Sequence, residues 1–238
     1  MFAIYKKEIR KFFNTIEGYV IISAFFVISA LLTWYIPSEY NILYNNQATL
    51  VPFFQVTPWI LLFLIPAVTM KMISNETMEK TSIILLTKPI KKWEIIFSKF
   101  LASCTIGILS IIPTVIFVYS IYQLSEPKGN IDIGELIGSY IGLIMIIGCY
   151  SAIGIYGSSI SKNTMISFIV TLIIILLLLF GVDLLGDLYN NSLLKYLSII
   201  SHYESISRGV LDSRDIAYFI SLIIFFLSIS TITIHKNR

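Results

Sequence analysis

Six apolar stretches separated by polar segments constrain this chain more than any other feature. They run from 18 to 36, 57 to 72 (or from as early as Thr49), 100 to 124, 136 to 156, 165 to 182 and 216 to 234. As helices rising about 1.5 Å per residue, such stretches cross most or all of a hydrocarbon core about 30 Å thick. With 13% charged residues, the chain is too apolar for a soluble domain. The sequence predicts an all-α integral membrane protein with six transmembrane helices.

The polar segment from 71 to 99 interrupts the apolar pattern and carries six lysines. A lysine at bilayer depth costs about 2.5 to 3.5 kcal/mol, so we expect this segment to lie in water or against protein. Ile83 to Leu86 give it an apolar side, and Pro89 ends it before a helix that begins near Lys91. We predict a short amphipathic helix over about 75–88, lying at the membrane surface and facing a partner.

Residues 1–17 have the pattern of an amphipathic helix that lies on an anionic leaflet. The alternative is a basic flank that only sets topology. The apolar side holds Phe2, Tyr5, Ile9, Phe12, Phe13 and Ile16, and the basic side holds Lys6, Lys7, Arg10 and Lys11.

In the outer region 183–215, Asp183 and Asp187 close the fifth stretch at the water boundary. Residues 188–215 are too polar to span a bilayer and too apolar for a free loop, so we expect short re-entrant helices in the outer interface. Gly209 is expected to form a tight turn, and Arg208 or Arg214 to pair with Glu204, Asp212 or Asp215. His202 is expected to be a hydrogen-bonding residue rather than a metal ligand, since no second His or Cys is near in sequence.

Two interior prolines, Pro66 in the second stretch and Pro113 in the third, predict helix kinks. They are hinge candidates for alternating access, although kinked helices are also common as static features. In the fourth stretch, the spacing of Gly138 and Gly142 predicts close helix packing.

The distribution of Lys and Arg predicts the orientation. Six spans place both termini on one side, and that side carries thirteen of the seventeen basic residues, against four at Lys128, Lys195, Arg208 and Arg214. By the positive-inside rule, both termini and the 71–99 segment are expected in the cytoplasm.

The sequence lacks the motifs of an enzyme. It has no G-x-x-x-x-G-K-[ST] loop for a nucleotide and no hydrolase or zinc-protease signature. The last four apolar stretches contain no ionisable Asp, Glu, Lys, Arg or His, which argues against a proton relay, and Cys104 and Cys149 are expected to be packing residues. We predict no catalytic or metal site, and expect any energy to arrive from a partner.

Five segments together resemble the permease subunit of ABC-2 type transporters, most closely the gliding-motility permease family GldF, with a similar pattern in the nitrous oxide reductase maturation family NosY. They are PWILLFLIPAVTMKM (58–72), LLTKPIKKWEIIFSKFLA (85–102), GNIDIGELIGSYIGL (129–143), IGIYGSSISKN (153–163) and SHYESISRGVLDSRDIAYF (201–219). The family's coupling motif, E-x-x-x-G-T-x-E-L-L-L-T-x-P, is matched at Glu76, Thr81, Leu85, Leu86, Thr87 and Pro89. Lys80 and Ile83 depart from it. Glu76 is expected to contact an ATPase or the N-terminal helix.

The resemblance implies one ABC-2 transmembrane domain over 1–238, with residues 1–17 as a connecting helix, 71–99 as a cytoplasmic coupling loop and 183–215 as an outer re-entrant region. It implies two copies of a separate ATPase that holds ATP and Mg²⁺, a second permease copy or a companion protein with a large outer domain, surrounding membrane lipids, and no nucleic acid. The implied location is the bacterial inner membrane, and the implied role is gliding motility or envelope secretion. A mechanical role without a substrate and a metalloenzyme-maturation role stay open, while a stand-alone channel or carrier is disfavoured.

Overall fold

The structure is a computed structural model, and it describes residues 1–44, 48–78, 91–189, 197–210 and 212–236. Within these ranges the secondary structure is helical, with no strand. The helices are α1 (Phe2–Phe13), α2 (Ile16–Ala30, continued by a π-helical turn Leu31–Tyr35), α3 (Val51–Met78), α4 (Lys92–Ile111, followed by a 3₁₀ turn Ile112–Thr114), α5 (Val115–Leu124), α6 (Ile133–Ile160), α7 (Thr164–Leu176, continued by a π-helical turn Leu177–Gly181), α8 (Val182–Leu188), α9 (Ile199–Ser207) and α10 (Ser213–Lys236).

Six stretches among the described residues are long and apolar enough to cross a membrane. They are Ile16–Tyr35, Val51–Met78, Lys92–Leu124, Ile133–Ile160, Thr164–Gly186 and Ser213–Thr233. The prediction of an all-α membrane protein with six transmembrane helices is confirmed.

The boundaries differ from the predicted ones where polar residues find partners inside the protein. The segment 71–99 is not a loop throughout, because Lys71 to Met78 end α3 and Lys92 to Lys99 begin α4. Residues 79–90, which hold most of the predicted coupling helix, lie outside the described residues. Residues 1–17 form α1 only to Phe13, and the predicted outer region begins as helix α8, which continues the fifth span beyond the expected end at Val182.

Helix α6 lies at the centre of the bundle and packs against α3, α4, α7, α9 and α10. Glycines permit the closest approaches. A Cβ atom on Gly154 would lie 2.2 Å from Oγ1 of Thr69 in α3, and one on Gly157 would lie 2.2 Å from Oγ1 of Thr171 in α7. Any larger side chain at these positions would force the helices apart.

The two ends of the bundle differ in charge. One end of the bundle holds α1, the C-terminal turns of α3, the N-terminal turns of α4 and the 161–163 loop. We call it the basic end. The opposite end holds α9 and the N-terminal turns of α3, α6 and α10. Asp132 caps α6 there, with its Oδ1 accepting from the backbone N–H groups of Gly134 and Glu135 at 2.9 and 3.1 Å.

The prolines affect the two spans differently. Helix α3 is unbroken through Pro58 and Pro66, whereas Pro113 lies in the 3₁₀ turn that separates α4 from α5. Because Pro58 has no N–H, the carbonyl oxygen of Phe54 loses its helical donor. The hydroxyl of Tyr203 in α9 donates to that oxygen at 2.8 Å. A side chain from a neighbouring helix thus satisfies the carbonyl that Pro58 leaves free.

Candidate functional site

Helix α1 binds along the start of α4 at the basic end. Its residues Ile4 and Glu8, one turn apart, are its buried positions. The hydroxyl groups of Tyr5 and Thr105 lie 3.1 Å apart, and Ser98 donates to the backbone oxygen of Met1 at 3.0 Å. Lys6, Arg10 and Lys11 are exposed on the other side. The helix is therefore held by one face and presents a basic face outward.

A buried ion network joins α1, α3 and α4. It consists of Glu8, Lys99, Glu76 and Lys7. Nζ of Lys99 lies 3.0 Å from Oε1 of Glu8 and 2.8 Å from Oε2 of Glu76. Nζ of Lys7 lies 3.0 Å from Oε1 of Glu76. The side chain of Lys99 is 1% exposed and that of Glu8 is 5% exposed, so this pair is almost fully removed from water.

The donors of Lys99 are all used. An ammonium group has three N–H donors, and here they meet Glu8, Glu76 and the backbone oxygen of Met72. Removing one partner of a buried ion pair typically costs about 3 to 5 kcal/mol, because the remaining charge stays desolvated. The network therefore couples the positions of three helices.

The C-terminal turns of α3 are also attached to α6 and α2. Oγ of Ser158 accepts from the backbone N–H groups of Ile73 and Ser74 at 3.0 and 3.1 Å, and donates to the backbone oxygen of Met70 at 3.1 Å. On the exposed side, Lys71 and Glu17 are 2.5 Å apart. The end of α3 that leads into residues 79–90 is thus anchored on several sides.

The structure describes part of the predicted coupling motif. Glu76 is buried in the ion network and contacts Lys7 of the connecting helix, which is one of the two contacts expected for it. Thr81, Leu85, Leu86, Thr87 and Pro89 lie outside the described residues.

Sequence reasoning missed Glu8 and Lys99. Glu8 is the one acidic residue of α1 and follows Ile4 by four positions, so it lies on the buried stripe. Lys99 follows Ile95 and Ile96 at helical spacing, and all three are buried. The predicted third span, 100–124, contains no Asp, Glu, Lys, Arg or His, but its helix begins earlier, at Lys92, and these added N-terminal turns hold the buried Lys99.

At the opposite end, a histidine joins the α9 and α10 helices. Nδ1 of His202 lies 2.6 Å from Oδ1 of Asp215, and the His202 ring stacks on Tyr218 with centroids 4.0 Å apart. The prediction that His202 forms a hydrogen bond agrees with this geometry. Within the described residues, no group of three or more His, Cys, Asp or Glu is placed to hold a metal ion.

The expected arginine pairs are not the ones observed in the described part of the chain. Asp215 pairs with His202, Nε of Arg208 donates to the backbone oxygen of Glu204 at 3.2 Å, and Asp212 accepts from the backbone N–H of Arg214 at 2.9 Å. Backbone groups at helix ends compete for these side chains because they otherwise lack partners.

The turn after α9 depends on glycine. Gly209 has φ of +83°, and a Cβ atom there would lie 2.9 Å from the carbonyl carbon of Gly134. Gly138 and Gly142 face the same helix, with Cβ positions 2.5 Å from the backbone oxygen of Ile206 and 2.9 Å from the ring of Tyr203. The close packing predicted for this glycine pair is present, and its partner is α9.

The buried side chain of Tyr203 joins α9 to α3. Burial raises the pKa of its phenol well above the ordinary value, so the hydroxyl stays protonated and donates to Phe54.

A family model agrees with this architecture. The model described as "ABC-2 family transporter protein" matches residues 2–234, almost the whole chain. No curated protein matches the chain. The match covers all six candidate spans and both ends of the bundle, and on this basis the chain belongs to the ABC-2 family of transporter membrane proteins.

Proposed function

We propose that this chain is the membrane-spanning permease subunit of an ABC transporter complex, and that a separate ATPase drives it from the basic end. The observation that carries the proposal is the network of buried Glu8, Lys99 and Glu76, with the exposed Lys7 at its edge. It ties together the helices on both sides of residues 79–90, together with the connecting helix α1. Family membership supports an ATPase partner.

A force applied to residues 79–90 would reach the bundle by a short route. Glu76 lies in the last turn of α3, and Lys99 lies in the second turn of α4. Because both side chains share one buried network, α3 and α4 would move with α1 rather than separately. Ser158 would pass the displacement of α3 to α6, the central helix. ATP and Mg²⁺ would be bound by the partner.

The proposed orientation places the basic end in the cytoplasm of a bacterial inner membrane. The support is the excess of Lys and Arg at that end, together with the need of an ATPase for cytoplasmic ATP. Since six spans are half of the usual twelve for the family, the complex would contain a second permease copy or a companion membrane protein, with two ATPase copies.

Gliding motility or envelope secretion is the proposed setting, and its support is the sequence resemblance to the GldF segments alone. A permease for metalloenzyme maturation rests on the weaker resemblance to NosY. A mechanical role without a translocated substrate is the remaining alternative. These settings differ in the proteins that accompany the permease.

A pull-down from native membranes in mild detergent tests the ATPase coupling. Glu76→Lys is a poor probe, because it would place a second cation beside buried Lys99. Leu85→Asp alone adds a charge to the predicted docking stretch, and Lys162→Asp, at an exposed lysine of the 161–163 loop, is a matched control at the same end. We expect a P-loop ATPase with the unmodified protein and with Lys162→Asp, and its loss with Leu85→Asp. Absence of an ATPase from all three samples would overturn the proposal.

The companion proteins in the same pull-down separate the alternatives. A membrane protein with a large outer domain, with gliding components, supports the gliding setting. Copper-enzyme maturation factors support the other setting.

A further inference from the structure

A cavity of mixed polar and apolar lining at the opposite end of the bundle lies beside an apolar groove that opens between α2 and α3. The cavity has a volume of about 640 Å³, and its polar lining includes Glu39, Glu135, Glu204 and Arg208. The groove has a volume of about 410 Å³ and is lined by apolar side chains of the first two spans. Trp59 lines both, so the two spaces lie on either side of this residue.

One face of α3 runs through both spaces. Val51 and Gln55 line the cavity, Trp59 lines the junction, and Phe63 and Ala67 line the groove. Gln55, Trp59 and Phe63 are each four residues apart, and at 3.6 residues per turn they lie within an arc of about 80°, so these three share one side of the helix. Val51 and Ala67 continue the row at its two ends, where it has turned toward the flanks of that side. Trp59 is 40% exposed and Phe63 is 57% exposed. A molecule lying along this row would therefore pass from a polar site into the apolar part of the bilayer.

The charged side chains of the cavity indicate which kind of polar group it would bind. Besides Glu39, the described lining holds the carboxylates of Glu135 and Glu204 and the guanidinium group of Arg208, so these three side chains together carry a net negative charge. The indole ring of Trp59, which packs against Phe180 with centroids 4.5 Å apart, adds an aromatic face at the junction. Aromatic faces and carboxylates together are the groups that bind ammonium and quaternary ammonium ions.

We propose that this composite site binds a bilayer amphiphile with an amine or quaternary-ammonium headgroup. The headgroup lies in the cavity near Glu135 and Glu204, and the alkyl chain lies in the groove against Phe63. This site goes beyond the ATPase coupling at the basic end and does not depend on it.

A second copy of the chain fits this face less well. In a two-fold symmetric contact the same patch meets itself, so a cavity rich in carboxylates would face the same carboxylates. A cationic headgroup supplies the opposite charge, and a chain fills the groove without a polar mismatch.

Fluorescence quenching tests the site directly. The chain has three tryptophans, and Trp34→Phe with Trp93→Phe leaves Trp59 as the reporter. Trp34 has a buried indole nitrogen without a partner and Trp93 stacks on Phe97, so phenylalanine suits both positions. In dodecyl maltoside micelles we would titrate dodecyltrimethylammonium brominated at its chain terminus, and the equally brominated maltoside as the neutral probe.

We expect the cationic probe to quench Trp59 at a concentration about tenfold below the neutral probe. The variant Glu135→Gln/Glu204→Gln should remove this preference, raising the half-quenching concentration of the cationic probe by about tenfold. Glu126→Gln, an exposed acid at the same end that does not line the cavity, should leave it unchanged.

Two results would overturn the proposal. Equal quenching by the cationic and neutral probes in the unmodified background would show simple partitioning without a headgroup site. In a Cys104→Ala/Cys149→Ala background, a disulfide between two Gln55→Cys chains in native membranes would assign this face to a second copy.

Discussion

Replacing Lys99 by methionine is the sharpest test of the buried network, because it removes the cation and keeps an unbranched apolar side chain. Glu8 then loses the cation that lies 3.0 Å from its carboxylate, while its side chain is 5% exposed. Glu76 keeps Lys7 at 3.0 Å, but Lys7 is 53% exposed, so water weakens that contact. Breaking a buried ion pair in this way costs about 3 to 5 kcal/mol.

Thermal unfolding in dodecyl maltoside measures the effect. For a chain of this length, about 2 to 4 °C of midpoint is lost per kcal/mol, so we expect Lys99→Met to lower the midpoint by roughly 10 °C. Lys6→Met, at an exposed lysine of helix α1, should shift the midpoint by no more than about 1 °C. Adding Glu8→Gln to Lys99→Met should recover part of the loss, because it removes one orphaned charge.

The unfolding midpoints of the single variants show whether the network stabilises the protein as proposed. Glu8→Gln alone should be milder than Lys99→Met, since Lys99 then retains Glu76 and the Met72 carbonyl. If Lys99→Met unfolds at the same temperature as the unmodified protein, the network does not hold α1, α3 and α4 together, and the proposed route of coupling fails with it.

Two further contacts give matched tests of stability by the same thermal assay. Tyr203→Phe leaves the Phe54 carbonyl without a donor and should lower the free energy of unfolding by about 1 to 3 kcal/mol. Adding Pro58→Ala restores a helical N–H and should recover most of this loss. No recovery would show that the Tyr203 hydroxyl acts elsewhere. Gly157→Ala should cost about 1 to 3 kcal/mol by overpacking against Oγ1 of Thr171, and Thr171→Ala should relieve it; a stable single variant would contradict the close approach.

The family could be predicted from the sequence, whereas the ion network could not. The apolar runs indicate the spans because backbone groups in a bilayer must bond within their own helix, which leaves few alternatives to an apolar helix. The burial of polar residues at the span ends was harder to predict, because the free-energy cost of burying them depends on partners that are distant in sequence. Glu8 and Lys99 are 91 positions apart, and the local sequence around either residue does not predict that the other is its partner.

The sequence by itself determined the helical class, the six spans, their order and the basic end, since hydropathy and charge are local properties. Only the tertiary structure decided that α3 and α4 extend into the lysine-rich segment and that the side chain of Glu76 faces inward to Lys99. It also decided that Asp215 pairs with His202 rather than with Arg208 or Arg214. Each of these depends on which helices pack together. The physical reason is that burial makes a charge costly until a partner from another helix meets it, and that partner is chosen by packing.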